Sequence, residues 1–361
     1  MKAKAASRTG ALLLVGAALV AASVGACSDH VTWPNADTYL VSKNGGGIDL
    51  FAITSRDQVV ARVAAVPTTH DVAGAVVLPW KSNHWILWLV PSDSADAEIV
   101  DVDGDAHRLT VLGTLEGEGT PVVVGDNLLT VDQASFAGAA SGAVIRKRSL
   151  PDLRQLGTLA VPMAPISGVS SGNMAIVYYV AQDRSNATNK PSPEPSEPAA
   201  SGSPDPNAPA PRQPIVPRAL SGATLVSLDS ESGRVAIAPI PGYGSLAPGP
   251  SSVAVVTGNS WVVADRSMTV QNHDLVPTGQ AGAFVGDRLF VATTSATGGS
   301  SIADVTTGGV VTRLPGTDTV RSLRASGSDL IALRSRDVCF VVPSEDAVCR
   351  AFAGDNISQW P

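Results

Sequence analysis

The stretch Gly286-Asp287-Arg288-Leu289-Phe290-Val291-Ala292-Thr293 joins a tight-turn sequence to a short apolar run, and this pairing decides the fold. Glycine suits the reversal because it adopts positive φ without a steric cost, and polar residues beside it are typical of hairpin turns. The run that follows is apolar at successive positions, as in a strand covered on both faces. The stretch predicts a hairpin turn followed by a strand buried between two neighbouring sheets.

The same pairing of turn and apolar run recurs along the chain. It is found at Ala36-Asp37 before TYLVS, Ser82-Asn83 before HWILWLV, Gly125-Asp126-Asn127 before LLTV, Ser171-Gly172-Asn173 before MAIVYYV, Gly258-Asn259-Ser260 before WVVA and Gly327-Ser328-Asp329 before LIAL. A second hairpin follows each copy, with first strands predicted near Ile48, Ile99, Val144, Leu225, Met268, Ile302 and Val338. Helical periodicity is scarce throughout, so the predicted fold class is all-β.

Units of about 40 to 45 residues with four short strands each are typical of a β-propeller. Seven units predict seven blades, with six or eight blades or a pair of β-sandwiches as the alternatives. The first unit lacks an innermost strand. Either residues 31–33 or residues 357–360 would complete it, and in both cases the two termini lie side by side.

Two units contain an Asp-x-x-x-Gly turn, at Asp229–Gly233 and at Asp304–Gly308. These turns resemble the repeats of quinoprotein-like and YVTN-type propellers, which implies a propeller over residues 37–361. Relatives that use pyrroloquinoline quinone carry adjacent cysteines and a tryptophan docking pattern in every blade. Neither feature occurs in this sequence, so we expect no cofactor.

The first 26 residues predict an export signal, because a basic start precedes a short apolar core at residues 10–20. Val24-Gly25-Ala26-Cys27 then resembles the processing site of bacterial lipoproteins. The resemblance implies cleavage before Cys27, acylation of its thiol with lipid such as palmitate, and a tether at residues 27–36. A membrane-anchored protein on the extracytoplasmic face is therefore expected, and a secreted protein with a chance cysteine is the alternative.

Cys339 and Cys349 flank a turn-rich tetrapeptide between two β-type runs. They could face each other across a hairpin, and an exported protein reaches an oxidising compartment. Since no Cys-x-x-Cys and no nearby histidine is present, the pair predicts a structural disulfide.

Residues 183–217 contain 10 of the 26 prolines and almost no large apolar side chain. Such a composition cannot form a core, so the segment predicts a disordered Pro-rich insertion within the propeller. It is either a tolerated insertion without a role or a loop that binds a partner or carries sugar.

Composition limits the function. The chain of 361 residues has 25 Lys and Arg against 32 Asp and Glu, a net charge of −7, which opposes nucleic-acid binding. Asp101, Asp103 and Asp105 alternate as at the start of a calcium loop, but Ala106 and Leu112 stand where such a loop needs glycine and an acid. We therefore expect a plain hairpin turn and no metal site.

The sequence contains no convincing catalytic set. Gly168-Val169-Ser170-Ser171-Gly172 matches the pattern of hydrolase nucleophiles, but that motif needs a strand-to-helix elbow and here another strand follows. The five histidines (His30, His70, His84, His107 and His273) are scattered. Glu116 and Glu118 in a Gly-rich stretch predict a solvated loop rather than paired acids.

Trp80, Trp85 and Trp88 form the densest aromatic group. Trp85 and Trp88 have opposite parity on a strand, so they are expected to fill the two seams on either side of one blade. Trp80 precedes the turn and is the candidate contact for a sugar or a partner. Taken together, these features predict a monomeric ring that scaffolds envelope proteins without catalysis, and a ligand-binding or lactonase-like hydrolytic channel is the alternative.

Overall fold

The computed structural model describes residues 33–45, 47–94, 96–136, 142–170, 175–182, 223–274, 278–295, 298–343 and 345–360. Residues 33–361 form one compact unit. Within the described residues the secondary structure consists of β-strands and a single 3-10 turn, Gln133–Phe136.

The strands form seven sheets, which are the seven blades of a β-propeller. Blade 1 contains β1 (Thr38–Asn44), β2 (Gly47–Thr54) and β3 (Val59–Ala65), and blade 2 contains β4 (Val72–Lys81), β5 (His84–Pro91), β6 (Ala97–Asp103) and β7 (Arg108–Leu115). Blade 3 contains β8 (Glu118–Val124), β9 (Asn127–Asp132), β10 (Ala143–Ser149) and β11 (Gln155–Val161), and blade 4 contains β12 (Ala164–Ser170), β13 (Ile176–Gln182), β14 (Ala223–Asp229) and β15 (Val235–Ile240).

Blade 5 contains β16 (Ser245–Pro248), β17 (Ser252–Val256), β18 (Ser260–Asp265) and β19 (Val270–Asp274), and blade 6 contains β20 (Thr278–Val285), β21 (Arg288–Thr294), β22 (Ser300–Asp304) and β23 (Gly309–Arg313). Blade 7 contains β24 (Ser322–Ser326), β25 (Asp329–Leu333), β26 (Asp337–Val341) and β27 (Val348–Ala351), and two short strands follow, β28 (Asp355–Asn356) and β29 (Ser358–Gln359). The first strands of neighbouring blades contact one another, so these strands lie innermost around a central channel. The predicted all-β class and blade count are confirmed.

The C-terminal segment closes the ring. Strand β28 pairs antiparallel with β1 and supplies the innermost strand of blade 1, whereas β29 pairs parallel with β4 and adds a fifth strand to blade 2. Of the two candidates for the missing strand, the C-terminal one is correct, but it starts at Asp355 and bridges two blades. Trp33 and Trp360 both contact Tyr39, so the two ends of the compact unit meet there.

The hydrophobic core lies in the seams between blades. Because successive side chains of a strand point to opposite faces, each blade contributes to both of its seams. Trp85 packs edge-on against Tyr39, with ring centroids 4.8 Å apart, in the cluster between blades 1 and 2. Trp88 lies in the separate cluster between blades 2 and 3. The expected division of these two tryptophans between seams is confirmed.

Blade 5 departs from the predicted pattern. The run WVVA that follows Ser260 is the third strand of its blade, β18, whereas the other six copies form second strands. The second strand is β17, which follows the turn Gly249–Ser251, where Gly249 is present but Pro250 stands in place of the polar residue that the pattern expects. Met268 consequently lies in the turn after β18 with a φ of 61°. The strand that begins near it, β19, is the fourth strand of blade 5 and not the first strand of a following hairpin, so the predicted place of this strand in the blade was wrong.

The two Asp-x-x-x-Gly turns close the hairpins between the third and fourth strands of blades 4 and 6. In each, the aspartate Oδ1 accepts hydrogen bonds from two backbone N–H groups of the turn. Gly233 and Gly308 have φ of 71° and 80°, and each donates its N–H to the aspartate carbonyl oxygen. The spacing therefore serves a tight turn in which only the fifth position needs glycine.

Candidate functional site in the central channel

The central channel holds two cavities, of about 640 and about 540 Å³. The innermost strands contribute their early residues to the larger cavity and their later residues to the smaller one; on β4, for example, Val76 lines the first and Trp80 the second. We call the face of the ring where these strands begin the upper face and the opposite one the lower face. The upper and lower cavities are named accordingly.

Three large apolar side chains are exposed around the upper cavity. Val90 and Ile166 line it and are 41% and 50% exposed, and Tyr243, 40% exposed, directly precedes the lining residue Gly244. We call these three residues the upper rim; Val90 and Ile166 belong to blades 2 and 4, and Tyr243 lies in the loop between blades 4 and 5. The sequence pattern did not single them out, because each is an isolated apolar residue at a strand end or in a loop.

Glu118 is the acidic side chain among the described residues that line the upper cavity, and it is almost fully buried. Its Oε1 accepts a hydrogen bond of 2.9 Å from Arg146 Nη1 and another from Arg148 Nη2, and its Oε2 accepts from Thr130 Oγ1 and Arg148 Nε. Burial by itself raises the pKa of Glu118, but these hydrogen bonds and charges outweigh it and hold the pKa below its usual value.

The expectation that Glu116 and Glu118 share a solvated loop is wrong for Glu118. Glu116 is exposed, whereas Glu118 is the first residue of β8 and lies inside blade 3. Two partly buried arginines pair with its carboxylate, so its role in the site is structural rather than that of a free general base. The two arginines that bind Glu118 lie on β10. Their distance from Glu118 along the sequence gave no sign of this contact.

The lower cavity is lined mostly by residues with apolar or small side chains, and two of them are aromatic, Trp80 and Phe284. The Trp80 indole Nε1 donates to Asp126 Oδ1 over 3.2 Å, and Lys81 Nζ lies 4.4 Å from the centroid of the ring. Lys81 and Asp126 also form an ion pair of 2.8 Å. These contacts hold Trp80 in place between blades 2 and 3, where the sequence placed its candidate contact residue.

Arg324, on β24, is the charged residue among the described residues that line the lower cavity. Within the described part of the chain no hydrogen bond and no ion pair involves its guanidinium. Burial lowers the pKa of Arg324, and the charge of Asp37 opposes this in part. Asp37 itself accepts hydrogen bonds of 2.5 Å from the Ser55 N–H and 2.8 Å from Ser55 Oγ, so it is already engaged.

No protein-family model and no curated protein sequence matches this chain. Solved structures share its fold. A chain of the mitotic checkpoint complex has a TM-score of 0.52 at 13% identity over 89% of this chain and 88% of that chain. U3-55K has a TM-score of 0.51 at 8% identity over 81% and 86%. Similarities at such low identity bear on the fold alone.

An acylaminoacyl peptidase from Pyrococcus horikoshii has a TM-score of 0.51 at 12% identity, over 77% of this chain and 46% of that chain. The similarity thus covers less than half of the peptidase. Among the described residues that line the two cavities of the present chain, none is a histidine or a cysteine.

The predicted disulfide is present between Cys339 and Cys349, which face each other on β26 and β27. Asp337 brings a carboxylate oxygen within 4.8 Å of both sulfur atoms. Since both sulfurs are in the disulfide, neither is available as a thiolate ligand.

The carboxylates of Asp101, Asp103 and Asp105 make separate contacts and do not converge on one metal site. Asp103 Oδ1 accepts hydrogen bonds from the backbone N–H groups of Asp105 and Ala106, which closes a hairpin turn. Asp105 Oδ1 accepts from Asn83 Nδ2 over 2.7 Å. Asp101 lies beside His84 inside the strand, and burial raises its pKa.

Gly168, Val169 and Ser170 belong to the innermost strand β12, not to an elbow. A Cβ atom at Gly168 would lie 2.5 Å from the Tyr179 ring, so close packing explains this glycine. The described histidines lie apart: His107 stacks on Trp33, His273 stacks on Trp261, and His70 and His84 lie near aspartates.

Cys27, the signal segment and residues 183–217 lie outside the described residues. Strands β13 and β14, which flank that segment, pair directly, with Gln182 opposite Ala223. Trp33 and Ala36, in the expected tether, pack against the core of blades 1 and 2. In the part of the chain that the structure describes, no helix is long and apolar enough to cross a membrane.

Proposed function

We propose that this protein is a lipid-anchored lipoprotein of the bacterial cell envelope whose monomeric ring binds another envelope protein through its upper face. The observation that carries the proposal is the upper rim, where Val90, Ile166 and Tyr243 are exposed around a cavity of about 640 Å³. Exposed apolar and aromatic side chains grouped at one opening are typical of protein-binding surfaces.

The position of the N-terminal residues supports this orientation. Trp33 stacks on His107 with ring centroids 5.8 Å apart, and His107 lies in the turn after β6. Strand β6 runs in the same direction as β4, because both are antiparallel to β5, so this turn lies on the lower face. Trp33, six residues after Cys27 in the sequence, therefore packs on the lower face, and the upper rim lies on the opposite face.

The scaffold role is also consistent with the chemistry of the channel. Glu118 is neutralised by two arginines, and the similar chain of the mitotic checkpoint complex serves in an assembly. Fold alone does not give function, so the upper rim rather than the similarity carries the argument.

The test is crosslinking on intact cells with a photoreactive residue at position 243, followed by purification and mass spectrometry. The variant Val90→Ser/Ile166→Ser/Tyr243→Ser removes the upper rim. Its matched control, Val111→Ser/Ile237→Ser/Val310→Ser, removes similarly exposed apolar side chains from the outermost strands β7, β15 and β23. A partner retained by the control and lost with the upper rim supports the proposal.

A Cys27→Ala variant tests the anchor separately. We expect the wild-type protein in the membrane fraction and the Cys27→Ala variant in the soluble envelope fraction. The same distribution for both proteins argues against the lipid anchor. Equal partner capture by the upper-rim variant and its control argues against the upper face as the interface.

A further inference from the structure

The lower cavity combines two aromatic side chains with the Arg324 guanidinium, which has no hydrogen bond or ion pair within the described residues, and the scaffold role uses none of the three. Arg324, Trp80 and Phe284 come from blades 7, 2 and 6 and meet only because the ring closes. The other described lining residues are apolar or small, apart from the hydroxyl of Ser170. A cavity lined mostly by apolar side chains, in which a few polar groups fix the orientation of the ligand, is typical of small-molecule sites.

The environment of the Arg324 guanidinium favours binding of an anion. A guanidinium stays protonated in proteins and offers five N–H donors in a plane. Taking such a charge partly out of water costs free energy unless an opposite charge or hydrogen-bond acceptors replace the water. Within the described residues Arg324 has neither a hydrogen bond nor an ion pair, and Asp37 is engaged by Ser55.

The aromatic side chains define the rest of the ligand. The hydrogen bond to Asp126 and the nearby Lys81 ammonium set the orientation of Trp80. Phe284 packs against the backbone of Gly249, where an added Cβ would lie 3.1 Å from the ring. Rigid aromatic walls favour a flat apolar body over a fully hydrated ion.

We propose that the lower cavity binds a small organic anion, in which a carboxylate pairs with Arg324 and a flat apolar body lies between Trp80 and Phe284. Guanidinium and carboxylate match in geometry and form paired hydrogen bonds. The cavity volume of about 540 Å³ accommodates a molecule with two fused rings. This site is independent of the upper rim and of the lipid anchor.

The test is calorimetric titration of the full ring with 2-naphthoate and with its neutral counterpart 2-naphthamide. We expect naphthoate to bind about tenfold or more tightly than naphthamide, because a hydrogen bond to a charged group is lost with the amide. Equal affinities, or no binding of naphthoate at concentrations up to about 1 mM, would overturn the proposal.

Variants locate the site. Arg324→Met should weaken naphthoate binding about tenfold and bring it close to that of naphthamide. Arg324→Lys keeps the charge but loses the paired hydrogen bonds, so its affinity should lie between those of Arg324→Met and the wild type. Arg266→Met is the matched control, because Arg266 is an exposed arginine on the same face that does not line the cavity. Thermal unfolding of each variant verifies the fold, and Trp80→Ala provides a second test that leaves the charge in place. An unchanged affinity in Arg324→Met and Trp80→Ala places the anion elsewhere and refutes the assignment.

Discussion

The indole Nε1 of Trp360 donates a hydrogen bond of 2.8 Å to the carbonyl oxygen of Tyr39, 321 residues earlier in the chain. The indole is buried in the core between blades 1 and 2, and the Trp360 N–H lies 3.3 Å from Ser322 Oγ in blade 7. One residue thus contacts both sides of the closure. Trp360 directly follows β28 and β29, and without these two strands the inner edges of β1 and β4 would be unpaired.

Loss of Trp360 should therefore destabilise the ring. We expect Trp360→Ala to reduce the free energy of unfolding by about 3–5 kcal/mol, and Trp360→Phe by about 1 kcal/mol because the buried carbonyl of Tyr39 loses its donor. Urea unfolding followed by tryptophan fluorescence measures both. Trp261→Ala is the control, since Trp261 is only partly buried on an outer strand pair and should cost less. Equal losses at the two positions would contradict the role of Trp360 in closure.

Removal of the Glu118 charge should also destabilise the protein. Glu118→Gln leaves Arg146 and Arg148 without their shared carboxylate, and we expect a loss of about 3 kcal/mol in the free energy of unfolding. Glu116→Gln, an exposed change two residues earlier, should have little effect. If Glu118→Gln lowers the free energy of unfolding no more than Glu116→Gln does, the ion pairs of Glu118 do not stabilise the fold.

The pH dependence of stability follows from the same group. The folded pKa of Glu118 lies below the unfolded value of 4.5, so its contribution is complete above pH 4.5 and is lost as the pH falls through the folded pKa. Wild type should therefore lose more stability below pH 4.5 than Glu118→Gln does. Parallel profiles of unfolding free energy against pH for the two proteins would exclude this linkage.

Gly168 should not accept a side chain. An added methyl group would approach the Tyr179 ring to 2.5 Å and Val122 Cγ2 to 2.8 Å, so Gly168→Ala should cost about 1–3 kcal/mol through overpacking. Gly157→Ala on β11 meets no atom within 4 Å and should be neutral or slightly stabilising. Thermal unfolding of the two variants measures the difference. An unchanged unfolding temperature for Gly168→Ala would show that the side chains between blades 3 and 4 can move enough to admit a methyl group.

The disulfide should stabilise blade 7. It links residues separated by 10 positions, and closing so short a loop in the unfolded chain is expected to contribute about 2–3 kcal/mol. The double variant Cys339→Ala/Cys349→Ala should unfold at lower urea concentration than the oxidised wild type. Wild type under reducing conditions is the control and should resemble the double variant. Free thiols in the native protein, detected by alkylation, would contradict the bond.

Local patterns predicted the blades well where a strand and its turn are adjacent in the chain. The placement of Trp85 and Trp88 in different seams was predicted correctly, because the alternation of side chains between the two faces of a strand depends on the extended backbone alone. The pattern failed at blade 5, where Pro250 stands in the turn before β17 and the Gly-Asn turn comes one strand later. It also failed at Glu118, since the arginines that bury it belong to a strand whose position depends on the whole blade.

The amino-acid sequence by itself determined the all-β class, the sevenfold repetition and the pairing of Cys339 with Cys349, because each depends on residues within one hairpin or one strand. Only the tertiary structure decided that the C-terminal strands close the ring, and that Trp80, Phe284 and Arg324 meet in one cavity. The physical reason is that turn chemistry and strand periodicity act over a few residues. Which strand ends converge on the channel depends on how all seven blades pack around the axis.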